Sequence, residues 1–408
     1  MAAIGFILRY KQAFSLPGVD YKHLLHAHSH YAFAGWASTA LYAGIVHFLQ
    51  PPTHTLRFFR QLLVLHAAAS LGMLLTFPFM GYAGPSVFFA TLSLFISWCF
   101  AGLSFRPLLQ HTIKIAAPWL LAALLLMIVS AAGTIYLAWM MYHKTLNQSL
   151  YFGAVYFYLH FQYNGWFLFG IGGLLLSTWS VAPTGEVPRA INRIFMLLLL
   201  TVVPTVFLSM LWMRIPGWMH VTGAVAAVVQ LFVLYYLYYV LKNTGITKGI
   251  RWRQWDHVLG AAGLTAFSLK LVLQALSAIP QLNKYAFGIR PVVIGFLHLV
   301  LLGCITLLLL SFFIRQRYLQ ADRRLAGWGL GLFFGGILLN ELVLMLQGAR
   351  AIAQLGLPQA PLLLLAAAFC LFCGITFFFI GQYPQLPSPP HQRYNHQPQQ
   401  NHHQGKQK

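Results

Sequence analysis

Eleven stretches of this chain are apolar for about the length that crosses a bilayer, and between them they occupy nearly all of it. They run approximately over 24–49, 59–81, 85–103, 117–141, 150–180, 191–211, 218–241, 256–279, 291–314, 325–348 and 360–383. A helix spanning a hydrocarbon core of ~30 Å needs roughly 20 such residues. The expected fold is therefore all-α, a polytopic membrane helix bundle of 11–12 transmembrane helices. The twelfth is the short apolar fragment Met1 to Leu8, read as the stub of a further helix. A single transmembrane domain over 1–383 is expected. The segment 384–408, rich in His, Gln and Pro, is expected to be a disordered cytoplasmic tail.

Composition closes off the alternatives. Only 8% of the 408 residues are charged, whereas a soluble domain carries about 25%, and the mean hydropathy is +0.69. A soluble enzyme, a nucleic-acid module and a disordered scaffold are excluded. The net charge of +21 reflects a scarcity of acids, which number five: Asp20, Glu186, Asp256, Asp322 and Glu341. No nucleic-acid partner is expected, and the partner implied is membrane lipid. Cys99, Cys304, Cys370 and Cys373 lie in apolar runs and imply no disulfide framework. Arg9 and Lys11 follow the first apolar residues, so no cleavable signal peptide is expected. Seventeen Lys and Arg residues fall in the even loops and the tail and eight in the odd loops, which places the even loops and both termini in the cytoplasm. The expected location is a bacterial-type inner membrane, multi-pass, N-in and C-in.

Histidines carry the chemistry. His26, His28 and His30 alternate at the non-cytoplasmic entrance of the first span; on a helix His26 and His30 share a face and His28 points elsewhere. Imidazoles near a bilayer are costly and are apt ligands for a metal or haem iron. His298 lies roughly 10 Å into its own span at 1.5 Å per residue, a depth close to that of His26 and His30. Two histidines at one depth on two helices are what a bis-imidazole haem needs. His160, Tyr163 and Asn164 form a third polar cluster, with His220 entering another span from the same side. Glu341, beside Asn340, and Lys270 are ionisable groups inside spans, where a bare charge costs at least ~2.5 kcal/mol; each is expected to be neutral, paired or water-linked.

At these residues the chain resembles the haem-copper oxidase superfamily, that is, subunit I of cytochrome oxidases and the large subunit of nitric oxide reductases. The motif Leu25-His26-Ala27-His28 is similar to the one whose histidine binds the low-spin haem, which implies that role for His26 with His28 in reserve. His298 followed by Gly303 is similar to the second low-spin ligand. His160-Phe161-Gln162-Tyr163-Asn164-Gly165-Trp166 is similar to the sixth-span motif of the reductases, with Asn164 where they carry glutamate. The high-spin haem ligand is replaced by Phe296, and 191–211 holds no histidine pair. The resemblance thus implies one b-type haem with two histidine ligands and a degenerate catalytic centre, in respiratory electron transfer, with a cytochrome or quinol donor and partner subunits. No Cys-x-x-Cys-His is present, so covalent haem attachment is excluded. Two other readings stay open. One is an active oxygen or nitric oxide reductase with a second metal at His160 and His220, with Tyr163, Asn164 and Glu341 as catalytic candidates. The other is a haem-free transporter or assembly protein on the same scaffold.

Overall fold

In the computed structural model, which describes residues 1–145, 147–179, 185–244 and 254–383, every expected span is helical. A short helix α1 (Ala2–Ala13) precedes α2 (Tyr21–Leu49), α3 (Thr53–Met80), α4 (Gly84–Gln110) and α5 (Ala117–Tyr142). Next come α6 (148–177) and α7 (Glu186–Val202), which bends by 51° into a 3₁₀ turn over Pro204–Met210. Then follow α8 (Gly217–Asn243), α9 (Trp255–Ser277), the short α10 (Pro280–Gly288), α11 (Arg290–Arg315), α12 (Arg324–Ile352) and α13 (Ala360–Ile380). Among the described residues nine helices are long and apolar enough to cross a membrane, and a tenth if bent α7 is one span. In lipid each backbone N–H and C=O must be satisfied within its own segment, which is why a chain this apolar is all helix. The protein is a multi-pass membrane protein. The expected tail 384–408 lies outside the described residues.

The helices outrun their apolar segments at the ends, and capping explains where they stop. α2 begins at Tyr21 because the Asp20 carboxylate accepts a hydrogen bond from the His23 backbone N–H at 2.9 Å. It ends at Gln50 in the left-handed region (φ 43°), followed by Pro51 and Pro52. α7 breaks at Pro204, which has no N–H to continue the ladder. The expected stub α1 is about 18 Å long at 1.5 Å per residue and packs on α13 and α2.

Three helices form the middle of the bundle. Leu41 and Ile45 of α2, Trp166 and Phe169 of α6, and Leu309 and Phe312 of α11 have no accessible surface. The other spans flank them and present large apolar side chains outward, such as Phe79 at 81% and Leu200 at 68% exposure. In water such a surface would aggregate; in a bilayer it is the lipid face. α12 and α13 cross closely through glycines. A Cβ on Gly374 would lie 2.4 Å from the Phe333 backbone nitrogen, and one on Gly329 2.4 Å from that of Phe378. Cys370 and Cys373 are half-buried free thiols on α13.

Candidate functional site: histidines at three wide helical turns

Each of the three central helices contains a π-helical stretch, and each stretch starts directly after a histidine. They cover Tyr31–Ser38 after His30, Phe161–Phe167 after His160, and Leu299–Thr306 after His298. A π turn inserts an extra residue and leaves a carbonyl short of its usual partner; such turns recur at functional sites. In α2 and α11 threonines fill the gap. The Thr39 hydroxyl donates to the Ala34 carbonyl at 3.0 Å and the Thr306 hydroxyl to that of Leu301 at 2.8 Å, each five residues back. The three stretches are also tied to one another. The Trp36 indole N–H donates to Thr306 Oγ1 and the Trp166 indole N–H to Ser38 Oγ, both at 3.0 Å. Indoles buried in a membrane core need such acceptors.

On α2 the three alternating histidines separate as their periodicity requires. His26 and His30 turn towards α3 and its following loop. The His30 ring stacks on Phe77 at 4.4 Å, with Nε2 3.1 Å from the Tyr82 hydroxyl, while His26 meets Tyr82 edge-on at 4.8 Å. His28 turns the other way, onto α1, where a Cβ at Gly5 would come within 3.3 Å of its Cε1. His28 Nδ1 is enclosed and has no hydrogen-bond partner among the described residues. The ring lies within hydrogen-bonding reach of the Met1 backbone carbonyl and within electrostatic reach of His298, the N-terminal amino group and Arg9. The histidine that the oxidase-like motif favoured, His26, is therefore on the far face of α2 from His298, and its reserve, His28, is on the near face.

His298 has a defined tautomer. Its Nδ1 lies 2.8 Å from the Ile294 carbonyl; a carbonyl only accepts, so Nδ1 carries the proton and Nε2 keeps a free lone pair. A carbonyl that accepts from the far ring nitrogen in this way stands behind many histidine metal ligands. Packing changes abruptly at this residue: no residue of Arg290–His298 is fully buried, whereas seven of the eight in the following π stretch are. The N-terminal part of a central helix is thus loosely enclosed where His298 sits. Two cations gather at the same end. Arg290 donates to the Tyr21 hydroxyl at 3.2 Å, and Arg9 lies within reach of Arg290 and Glu341. Glu341 accepts from Asn340 Nδ2 at 3.0 Å. In sequence Arg9 and Arg290 count only as loop charges; the fold brings Arg9 within electrostatic reach of His28 and His298, and Arg290 within reach of Arg9.

The second cluster is organised differently. His160 Nε2 donates to the Val202 carbonyl at 2.8 Å, and its Nδ1 accepts from Asn164 Nδ2 at 3.1 Å and from the Ser209 hydroxyl at 3.3 Å. Both ring nitrogens are engaged, so the imidazole presents no free lone pair to a metal. Tyr163 and Asn164 are buried in the π stretch of α6, and Asn164 Oδ1 has no partner among the described residues. His220 Nε2 donates to the Ala278 carbonyl at 2.9 Å on α9. Among the described residues no three His, Cys, Asp or Glu side chains converge as metal ligands, so the second-metal reading at His160 and His220 finds no assembled donor set. A buried chain unseen in sequence runs close by, with Gln274 donating to Gln230 and Gln230 to Thr201 Oγ1. Lys270, 3% exposed, lies near Cys304 and His160 and has no hydrogen bond or ion pair among the described residues. His66 is a packing residue, its Nδ1 3.1 Å from Thr39 Oγ1 and its Nε2 3.1 Å from Ser93 Oγ.

No protein-family model matches this sequence, and no curated protein matches it.

Proposed function

We propose that the protein is an integral membrane haem protein that holds one low-spin b-type haem between His28 and His298 and serves respiratory electron transfer. The observation that carries this reading is the pairing of those two residues. They stand on different central helices, inside the bundle, within electrostatic reach of each other, one with an enclosed, unpartnered ring nitrogen and the other with its Nε2 left free. The residues fit the group on a second count: Arg9 and Arg290 supply positive charge at the same end, where a haem carries its two propionates. This departs from the motif resemblance in one respect, since His28 replaces His26 as the ligand from α2.

Held by two imidazoles, a haem would supply one-electron ferric/ferrous chemistry and would have no coordination position left for oxygen or nitric oxide. The chain's own residues would do the rest. The Ile294 carbonyl fixes the His298 tautomer, and the packed π stretches of α2 and α11, joined by Trp36 and Thr306, fix the separation of the two histidines. Glu341 and Asn340 place a hydrogen-bonding carboxyl beside Arg9. We place the histidine end of the bundle on the non-cytoplasmic side, following the bias in Lys and Arg.

The test is the optical spectrum of the purified protein and of three variants. Sharp reduced bands insensitive to carbon monoxide are expected, lost in His28→Ala and in His298→Ala and kept in His26→Ala. A wild-type spectrum in His298→Ala, or purified protein with no haem after expression in haem-replete cells, overturns the reading.

A further inference from the structure

At the end of the bundle opposite the histidines, α2, α3 and α11 leave a slot of about 710 Å³ between them. Its α2 wall carries the small residues Gly35, Thr39, Ala40 and Ala43 alongside Trp36 and Val46, and its other walls include Leu63 and Phe313. It runs from Gln50 to Gly35, roughly 22 Å at 1.5 Å per residue. That is about the depth of one leaflet with its headgroup region, half of the ~40–45 Å of a whole bilayer. Polar groups sit at the mouth. The Tyr318 hydroxyl and His47 Nδ1 are hydrogen-bonded at 2.6 Å, and Arg60 lies on the rim. Arg57, one turn before Arg60, is exposed on the same stretch of α3, and Val64 and Leu65 continue that face as exposed apolar surface at 68% and 51%.

Charge decides what belongs there. Arg57 and Arg60 form no hydrogen bond or ion pair among the described residues, and no acid of the chain stands in for a partner. Asp20 caps α2, Glu186 pairs with Arg189, Asp322 with Arg317, Asp256 faces His257, and Glu341 is bonded to Asn340. The 384–408 segment carries Arg393, Lys406 and Lys408 and no acid, so the chain's own end has the wrong sign. A cationic pocket between transmembrane helices at headgroup level is a recognition site for anionic lipid.

We propose that this slot seats one anionic phospholipid. The phosphate lies at Arg60 and Arg57, one acyl chain lies along the small-residue wall of α2, and the other lies on the exposed Val64 and Leu65 face. This inference is independent of the haem reading.

The experiment measures the phospholipid retained by the purified protein, by native mass spectrometry, after reconstitution in phosphatidylglycerol or in phosphatidylcholine and transfer to detergent. The wild type is expected to keep one phosphatidylglycerol in preference to phosphatidylcholine. Arg60→Gln and Arg57→Gln are each expected to lower that retention about five-fold, as one basic residue at a membrane surface contributes. Ala43→Leu, which fills the slot and leaves the charge in place, is expected to lower retention of both lipids. Unchanged thermal unfolding of the arginine variants shows that their loss is one of binding. Equal retention of the two lipids, retention by the double arginine variant at the wild-type level, displacement of the lipid by inorganic phosphate, or an isoprenoid quinone recovered in its place would each overturn the proposal.

Discussion

Replacing Lys270 by Met should stabilise this protein. The side chain is 3% exposed, and neither a hydrogen bond nor an ion pair engages Nζ among the described residues. Its polar neighbours offer no countercharge. The Cys304 thiol is buried, and His160, which can carry no negative charge, has a hydrogen bond at each ring nitrogen. A protonated lysine at the centre of a span costs at least ~2.5 kcal/mol, and an amine that is neutral but unbonded costs roughly 1–3 kcal/mol. Methionine has a similar length, fills the same space and carries neither cost. The expected gain is about 1–3 kcal/mol, a factor of roughly 5 to 150 in the unfolding equilibrium by the same arithmetic that relates 1.4 kcal/mol to tenfold. The assay is reversible unfolding in mixed micelles, followed by far-ultraviolet circular dichroism as denaturing detergent is added. A loss of stability beyond about 1 kcal/mol would refute the reasoning, because it would mean that the ammonium already has a partner inside the bundle.

Three further outcomes are expected. Lowering the pH should loosen the start of α2. The His23 backbone N–H, above all, holds the Asp20 carboxyl below its ordinary value, so the cap's contribution is fully present above the unfolded carboxylate pKa and is lost as pH falls through the depressed folded value. Amide protection factors at Lys22–His26, taken against the intrinsic exchange rate at each pH, should therefore fall at acid pH in the wild type and be low at all pH values in Asp20→Ala. Gly374→Ala places a methyl group 2.4 Å from the Phe333 backbone nitrogen and 2.9 Å from the Gly329 carbonyl, atoms that cannot turn aside. The α12–α13 pair should separate at a cost of about 1–3 kcal/mol, read as a lower detergent-unfolding midpoint, and an unchanged midpoint would show that the helices do not cross there. A reporter enzyme fused after Lys408 should be active only in the cytoplasm, given seventeen basic residues on that side against eight on the other; activity on the far side inverts the assignment.

How much of this protein its sequence determines follows from what each feature depends on. The helices depend on apolar length alone, since lipid forbids an unsatisfied backbone, and every expected span is therefore helical. The division of His26 and His30 from His28 depends only on the helical repeat and was equally legible. Which of those faces looks at His298 depends on how α2 is rotated against α1, α3 and α11, and no motif encodes a rotation. The oxidase-like pattern points to His26, whose ring packs beside Tyr82 and Phe77. The π stretches were invisible for a related reason. Tyr31–Ser38, Phe161–Phe167 and Leu299–Thr306 are apolar and helical by any local measure. In α2 and α11 a threonine five residues on satisfies a carbonyl that the wide turn frees, and two tryptophan N–H groups, bonded to hydroxyls on distant parts of the chain, tie the stretches together. His160 looked like a ligand while only its neighbours in sequence were known. Val202 and Ser209, more than forty residues away, take up its Nε2–H and help to occupy its Nδ1. Apolar length and periodicity are local quantities, readable along one chain, whereas the partner of each ring nitrogen is set by packing between helices and exists only once the bundle has closed.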